Sequence, residues 1–170
     1  MGAAAVSFGG VLPGFSAKSY SRIIGANDRL NVALMGCGRR VSAYYTSLKY
    51  KNNNVDLAYI CDVMKKQREK VGKDLNGKVS GKAALVSDIR EVFADKSVDA
   101  IFNATPDHWH APATILGCGA GKHVYVEKPF ALKPADGARV LALAESRGLL
   151  MGCAPDTFLG GGIQTARQLI

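Results

Sequence analysis

The stretch Asn31-Val-Ala-Leu-Met35-Gly36-Cys37-Gly38-Arg39-Arg40-Val41 decides the fold. A short apolar run ends abruptly at a glycine, as a strand buried on both faces does. Gly36 permits a tight turn there, and Gly38 lets the backbone come close to a ligand. A helix predicted from Val41 to Tyr50 begins at that turn. Its first N–H groups lack partners within the helix and sit at the positive end of the dipole, which suits a pyrophosphate. Two glycines alone are weak grounds for a nucleotide site. Val41 departs from the pattern, which has Gly or Ala at that third position for close helix–strand packing.

Outward from this turn the context strengthens. Val55 to Cys61 reads as a second strand, and Asp62 closes it 24 residues after Gly38. A carboxylate at that point can accept both hydroxyls of an adenosine ribose and repels a 2′-phosphate, so Asp62 favours NAD over NADP. Arg39 and Arg40 pull the other way, because an arginine nearby can hold the extra phosphate. Further along, the sequence predicts a charged helix over 64–75, a strand over 83–86, and a helix capped by Asp88 and running to about Ala94. Then come a strand over 99–104, a helix containing 113–118 with a glycine stop, and a strand over 123–127. Pro134 opens a helix ending near Arg147, a last strand covers 149–153, and a helix starts at Gln164. Strands alternating with helices predict an α/β fold, a doubly wound, mostly parallel sheet of the Rossmann type with six strands. Ligands of such sheets bind beyond the carboxyl ends of the strands, where Gly36, Asp62, Thr105, Glu127 and Pro155 fall.

Two further motifs stand at strand ends. Thr105-Pro106-Asp107-His108-Trp109-His110 reads either as a polar loop capping the next helix, with Trp109 filling a gap, or as a set of cofactor contacts. The density of hydrogen-bonding groups favours contacts, with Trp109 and His110 against the ribose or nicotinamide. Two histidines at i, i+2 without a third ligand do not make a metal site, so no metal is expected. Glu127-Lys128-Pro129 is either a chain reversal or an ammonium held where a nicotinamide ring lies. In the second case Lys128 can hydrogen-bond a substrate hydroxyl and stabilise charge on its oxygen during hydride transfer. Spacing alone does not choose between the two.

Composition excludes other classes. Of 170 residues 48% are hydrophobic and 21% charged, the balance of a globular domain rather than a disordered chain. The formal charge is +8, but the densest basic run, Lys65 to Lys73, reads as a solvated helix face without interleaved aromatics, which argues against nucleic acid. A positive field does favour an anionic small ligand. The four cysteines lack any finger or CxxC spacing and read as small buried hydrophobes. No apolar run reaches the roughly 20 residues of a membrane span. Residues 1–17 carry no charge and read like the apolar part of an export signal; residues 1–28 are expected to be a tail outside the fold.

Taken together, Gly36-Cys-Gly38, Asp62, Thr105-Pro-Asp-His-Trp-His110 and Glu127-Lys-Pro129 resemble the Gfo/Idh/MocA oxidoreductases, as does the segment from Pro155 to Arg167. The resemblance runs from about Arg29 to Ile170. It implies NAD(P) binding in this domain and a carbohydrate, polyol or inositol substrate. It further implies that Arg40, Asp62, Asp107 to His110, Glu127 and Asp156 line the cofactor. Lys128 matches the lysine of the family's catalytic motif, with a cis bond to Pro129. Residues 29–156 are then the dinucleotide-binding domain, and 157–170 begin a linker helix to a second α/β domain that this chain lacks. That domain supplies a further histidine and the homo-oligomer interface, so the chain alone is expected to be inactive. Exported members carry a twin-arginine signal, and residues 1–17 resemble its remnant without the arginine pair; export and a cytoplasmic location both stay open. Two other functions remain beside the dehydrogenase: an NAD-retaining glycoside hydrolase, and a non-catalytic NAD-sensing module, against which Lys128 weighs.

Overall fold

A computed structural model describes residues 29–154 and 160–169. The strands are β1 (Leu30–Met35), β2 (Val55–Cys61), β3 (Ala84–Val86), β4 (Ala100–Asn103), β5 (His123–Val126) and β6 (Met151–Cys153). Between them lie α1 (Tyr45–Lys49), α2 (Lys65–Leu75), α3 (Ile89–Ala94), α4 (Asp107–Gly119) and α5 (Pro134–Ser146), with α6 (Gly161–Leu169) at the end. All pairings are parallel, in the order β3-β2-β1-β4-β5-β6. This is the expected doubly wound sheet. Its order reverses between β1 and β4, which makes the crevice above those two strands the switch point.

Burial explains why β1 reads as an unbroken apolar run. Val32 and Leu34 belong to one core cluster, with Val71 and Leu75 of α2 and Leu48 of α1. Ala33 and Met35 belong to the other, with Val92 of α3 and Ala113 of α4. Both faces of the strand are therefore covered, and a polar residue in either register would be buried unpaired. Over β5, Cys118 of α4 and Ala144 of α5 close a third cluster.

Three local expectations are corrected. The first helix begins as a 3₁₀ turn over Arg39–Tyr44 and becomes α-helical only from Tyr45. Val41, the bulky residue at the third pattern position, is 4% exposed and packs into the first cluster. Asp107 to His110 are not loop but the first turn of α4, with Pro106 as N-cap and Asp107 complementing the dipole. The last helix starts at Gly161 rather than Gln164. Residues 1–28 and the segment holding Pro155 and Asp156 lie outside the described residues.

Candidate cofactor site

Gly36 stands at φ +88°, and a Cβ there would lie 2.4 Å from the Ala104 carbonyl oxygen and 2.6 Å from the Thr105 nitrogen. Only glycine lets the turn after β1 pass this close to the end of β4. Gly38 differs. Its backbone is extended, and a Cβ would meet nothing within 4 Å. The space over Gly38 belongs to a cavity of about 930 Å³, of a size that takes a large ligand. Its walls are Gly36, Gly38, Arg39 and Arg40 from the first turn, Asp62, Val63 and Met64 beyond β2, Ser87 to Ile89 beyond β3, and Thr105, Pro106, His108 and Trp109 beyond β4.

Asp62 is fixed by two backbone donors. The Cys37 N–H donates to its Oδ2 at 2.7 Å and the Met64 N–H to its Oδ1 at 2.7 Å. Each carboxylate oxygen keeps a further lone pair for a ligand hydroxyl. The acid thus also straps the glycine turn to the end of β2. Arg68 donates to the carbonyl oxygen of Asp62 at 2.9 Å, steadying the same corner. Burial, then the nearby Asp62 charge, pushes the Cys37 and Cys61 thiols up to about 12, so both stay protonated and inert.

A second network joins the first turn to the end of β5. Glu127 is buried, and its Oε1 accepts from Arg40 Nε at 2.7 Å and from the Tyr44 hydroxyl at 3.1 Å. Its Oε2 accepts from the Lys128 backbone N–H at 3.3 Å. Tyr44 rests on Phe102 and meets Tyr125 edge-on, with centroids 5.0 and 6.1 Å away. Burial, then the Glu127 carboxylate, raises the Tyr44 phenol far above its ordinary range, and the hydrogen bond to Glu127 raises Arg40. The Lys128–Pro129 peptide is cis, as the resemblance implies. The Lys128 side chain is exposed.

The predicted residues thus divide. Gly36, Gly38, Arg39, Arg40, Asp62, Thr105, Pro106, His108 and Trp109 share the cavity wall. Asp107, Glu127 and Lys128 stand outside that wall, and Asp156 lies outside the described residues. His110, expected against the ribose or nicotinamide, is 1% exposed, with both ring nitrogens turned to backbone carbonyls.

Sequence reasoning missed Asn103. Fully buried at the end of β4, it donates to the His110 carbonyl (3.0 Å) and the Thr114 hydroxyl (3.2 Å), and accepts from the Thr105 N–H (3.3 Å) and hydroxyl (2.6 Å). One amide therefore shapes the whole Thr105 turn. Its signal was available: an amide side chain closing an apolar strand at the ligand end of the sheet.

These features fit an adenine dinucleotide: bare backbone above Gly38, a fixed acid one strand away, and guanidinium groups at the rim. Residues 30–154 match the Gfo/Idh/MocA family, described as an oxidoreductase family with an NAD-binding Rossmann fold. The chain is 32% identical over 124 residues to a 4-carboxy-2-hydroxymuconate-6-semialdehyde dehydrogenase of Sphingobium, covering 71% of this chain and 36% of that enzyme. It is 24% identical over 143 residues to the NADP(+)-dependent scyllo-inositol 2-dehydrogenase IolW of Bacillus subtilis, covering 84% of this chain and 38% of that one. Its fold matches the crystal structure of the WlbA dehydrogenase of Bordetella pertussis in complex with NADH and UDP-GlcNAcA. There the TM-score is 0.73 and the identity 23%, with 82% of this chain and 39% of the other covered. The chain spans less than two fifths of the length of each of these proteins.

Proposed function

The chain belongs to the Gfo/Idh/MocA family of NAD(P)-binding oxidoreductases, and from that premise we propose that it is the dinucleotide-binding part of an NAD-dependent dehydrogenase acting on a sugar, polyol or inositol hydroxyl. One observation carries the reading: the cavity at the switch point joins the open backbone over Gly38 to a carboxylate at the end of β2.

In this reading Gly38 and the amides after it receive the pyrophosphate, and Asp62 accepts the adenosine ribose hydroxyls with its remaining lone pairs. A 2′-phosphate would stand against the same fixed carboxylate, which favours NAD. Trp109, 44% exposed on the cavity wall, covers one side of the dinucleotide. When bound, the nicotinamide supplies the hydride acceptor or donor. Lys128 holds the substrate hydroxyl by its ammonium and stabilises charge on that oxygen as the C–H bond breaks. The inositol dehydrogenase among the relatives supports a polyol substrate. The relatives are dehydrogenases and so do not favour a glycoside hydrolase or a non-catalytic sensor.

Titration of the protein with NADH and with NADPH, following Trp109 emission, tests the site. NADH should bind at least about tenfold more tightly, the effect of roughly 1.4 kcal/mol of charge repulsion. Tighter NADPH binding would overturn the role of Asp62. Saturation by neither nucleotide would overturn the site.

A further inference from the structure

His110 sits in the first turn of α4, buried to 1% exposure. Its Nδ1 lies 2.6 Å from the Pro129 carbonyl oxygen, and its Nε2 lies 2.8 Å from the Thr105 carbonyl oxygen. The main-chain oxygen of the same residue accepts from Asn103 and from the Thr114 hydroxyl. One residue thus ties the turn after β4, the start of α4 and the turn after β5, and Pro129 directly follows Lys128.

Both ring partners are carbonyl oxygens, which only accept. An imidazole makes both bonds only when both nitrogens carry hydrogen. With one proton fewer, a ring lone pair faces a carbonyl lone pair at hydrogen-bond distance, and that contact must open. Packing alone does not account for the arrangement, because a close-packed aliphatic residue would leave neither carbonyl turned toward the ring. The two nitrogens of a rigid ring set the distance between two turns that belong to different strands.

We infer that His110 is the positioning residue for Lys128: a doubly hydrogen-bonding clamp that fixes the Lys128–Pro129 turn against the Thr105 turn, closed when the ring is doubly protonated and half open when it is neutral. The inference rests on the reading of Lys128 given above. The charged or titratable groups nearest the ring along the chain are Asp107 and His108 on its own helical turn, and Glu127 and Lys128 on the turn it grips. Glu127 is engaged by Arg40. Asn103, Thr105 and Thr114, which are hydrogen-bonded around the His110 main chain and the Thr105 turn, carry no charge.

The test follows the ring and the turn together by NMR between pH 5 and 9. Long-range ¹H–¹⁵N spectra of histidine-labelled protein report the protonation of each His110 nitrogen, and the Lys128 amide reports the turn. The amide shift should move with the same midpoint as the ring nitrogens. A Lys128 amide that ignores the ring titration overturns the inference. So does a ring that stays in one neutral tautomer throughout. Two variants separate the halves of the clamp: His110→Asn places an amide near Nδ1 and keeps the tie to Pro129, whereas His110→Gln places it near Nε2 and keeps only the tie to Thr105. Hydrogen exchange at Lys128 should rise about tenfold in His110→Gln and at most twofold in His110→Asn, and equal rates in both overturn the inference. Dispersed β1 amides confirm that each variant is folded; if neither folds, the wild-type titration alone decides. Lys128→Ala removes the ammonium and leaves the His110 partners at Pro129 and Thr105 in place, so unchanged turnover of that variant in the complete protein would remove the catalytic reading without touching the clamp.

Discussion

Gly36 and Gly38 stand two positions apart and answer to different constraints. Alanine at 36 would have to hold a left-handed φ and push its Cβ into the backbone of Ala104 and Thr105, neither of which is a flexible side chain. We expect Gly36→Ala to lose about 3 kcal/mol of stability in urea unfolding, the joint effect of strain and overlap. At Gly38 the backbone is extended and a methyl group meets only open cavity. Gly38→Ala should stay within about 0.5 kcal/mol of the parent in the same experiment, yet weaken NADH binding by tenfold or more if the proposed placement of the pyrophosphate over Gly38 holds. Equal damage to stability from both substitutions would show that Gly38 is structural and that the open space above it is not a ligand's.

Among the elements, α3 offers a pH test. Its N-cap Asp88 accepts from the Arg90 backbone N–H at 2.9 Å and pairs with the Arg90 guanidinium. The side-chain hydrogen bond from Arg90, then the backbone one, lowers the carboxyl from 3.8 to about 2. A depressed acid stabilises the fold above its unfolded value and loses that contribution as pH falls through its folded value. The gap in Tm between wild type and Asp88→Ala should therefore hold at pH 7, shrink below about 4 and close near 2. A gap constant down to pH 2 would remove the cap from the account. The Asp88 cap, the six strands and the acid ending β2 were all legible in sequence, because hydrophobic period, capping residues and strand-terminal polar groups act locally. What was not legible depends on tertiary partners. Nothing near Val41 signals that its bulk comes with a 3₁₀ turn, and nothing in Thr105-Pro-Asp-His-Trp-His110 shows that the helix already begins at Asp107. Arg40 reads as a phosphate ligand until Glu127, 87 residues away, is seen to hold it. His110 reads as a ligand contact until Pro129 is found beside it.

For the molecule as a whole, 22 basic residues against 14 acidic ones create a field that reaches a dinucleotide before any contact forms. With a screening length of about 10 Å at 0.1 M salt, the NADH association rate should fall several-fold between roughly 20 and 200 mM NaCl, while the dissociation rate changes little. Stopped-flow mixing would show this, and a salt-independent association rate would mean that only groups on the cavity wall attract the ligand. The strand ends around that cavity are also bound to one another: Cys37 to Asp62, Arg40 to Glu127, His110 to Pro129. Replacing Asp62 with a small neutral residue, to make room for a phosphorylated coenzyme, would therefore leave the Cys37 amide without its acceptor and remove one of the ties between the glycine turn and the end of β2. Such a redesign needs a substitute acceptor for the Cys37 amide before it needs a new cation for the phosphate.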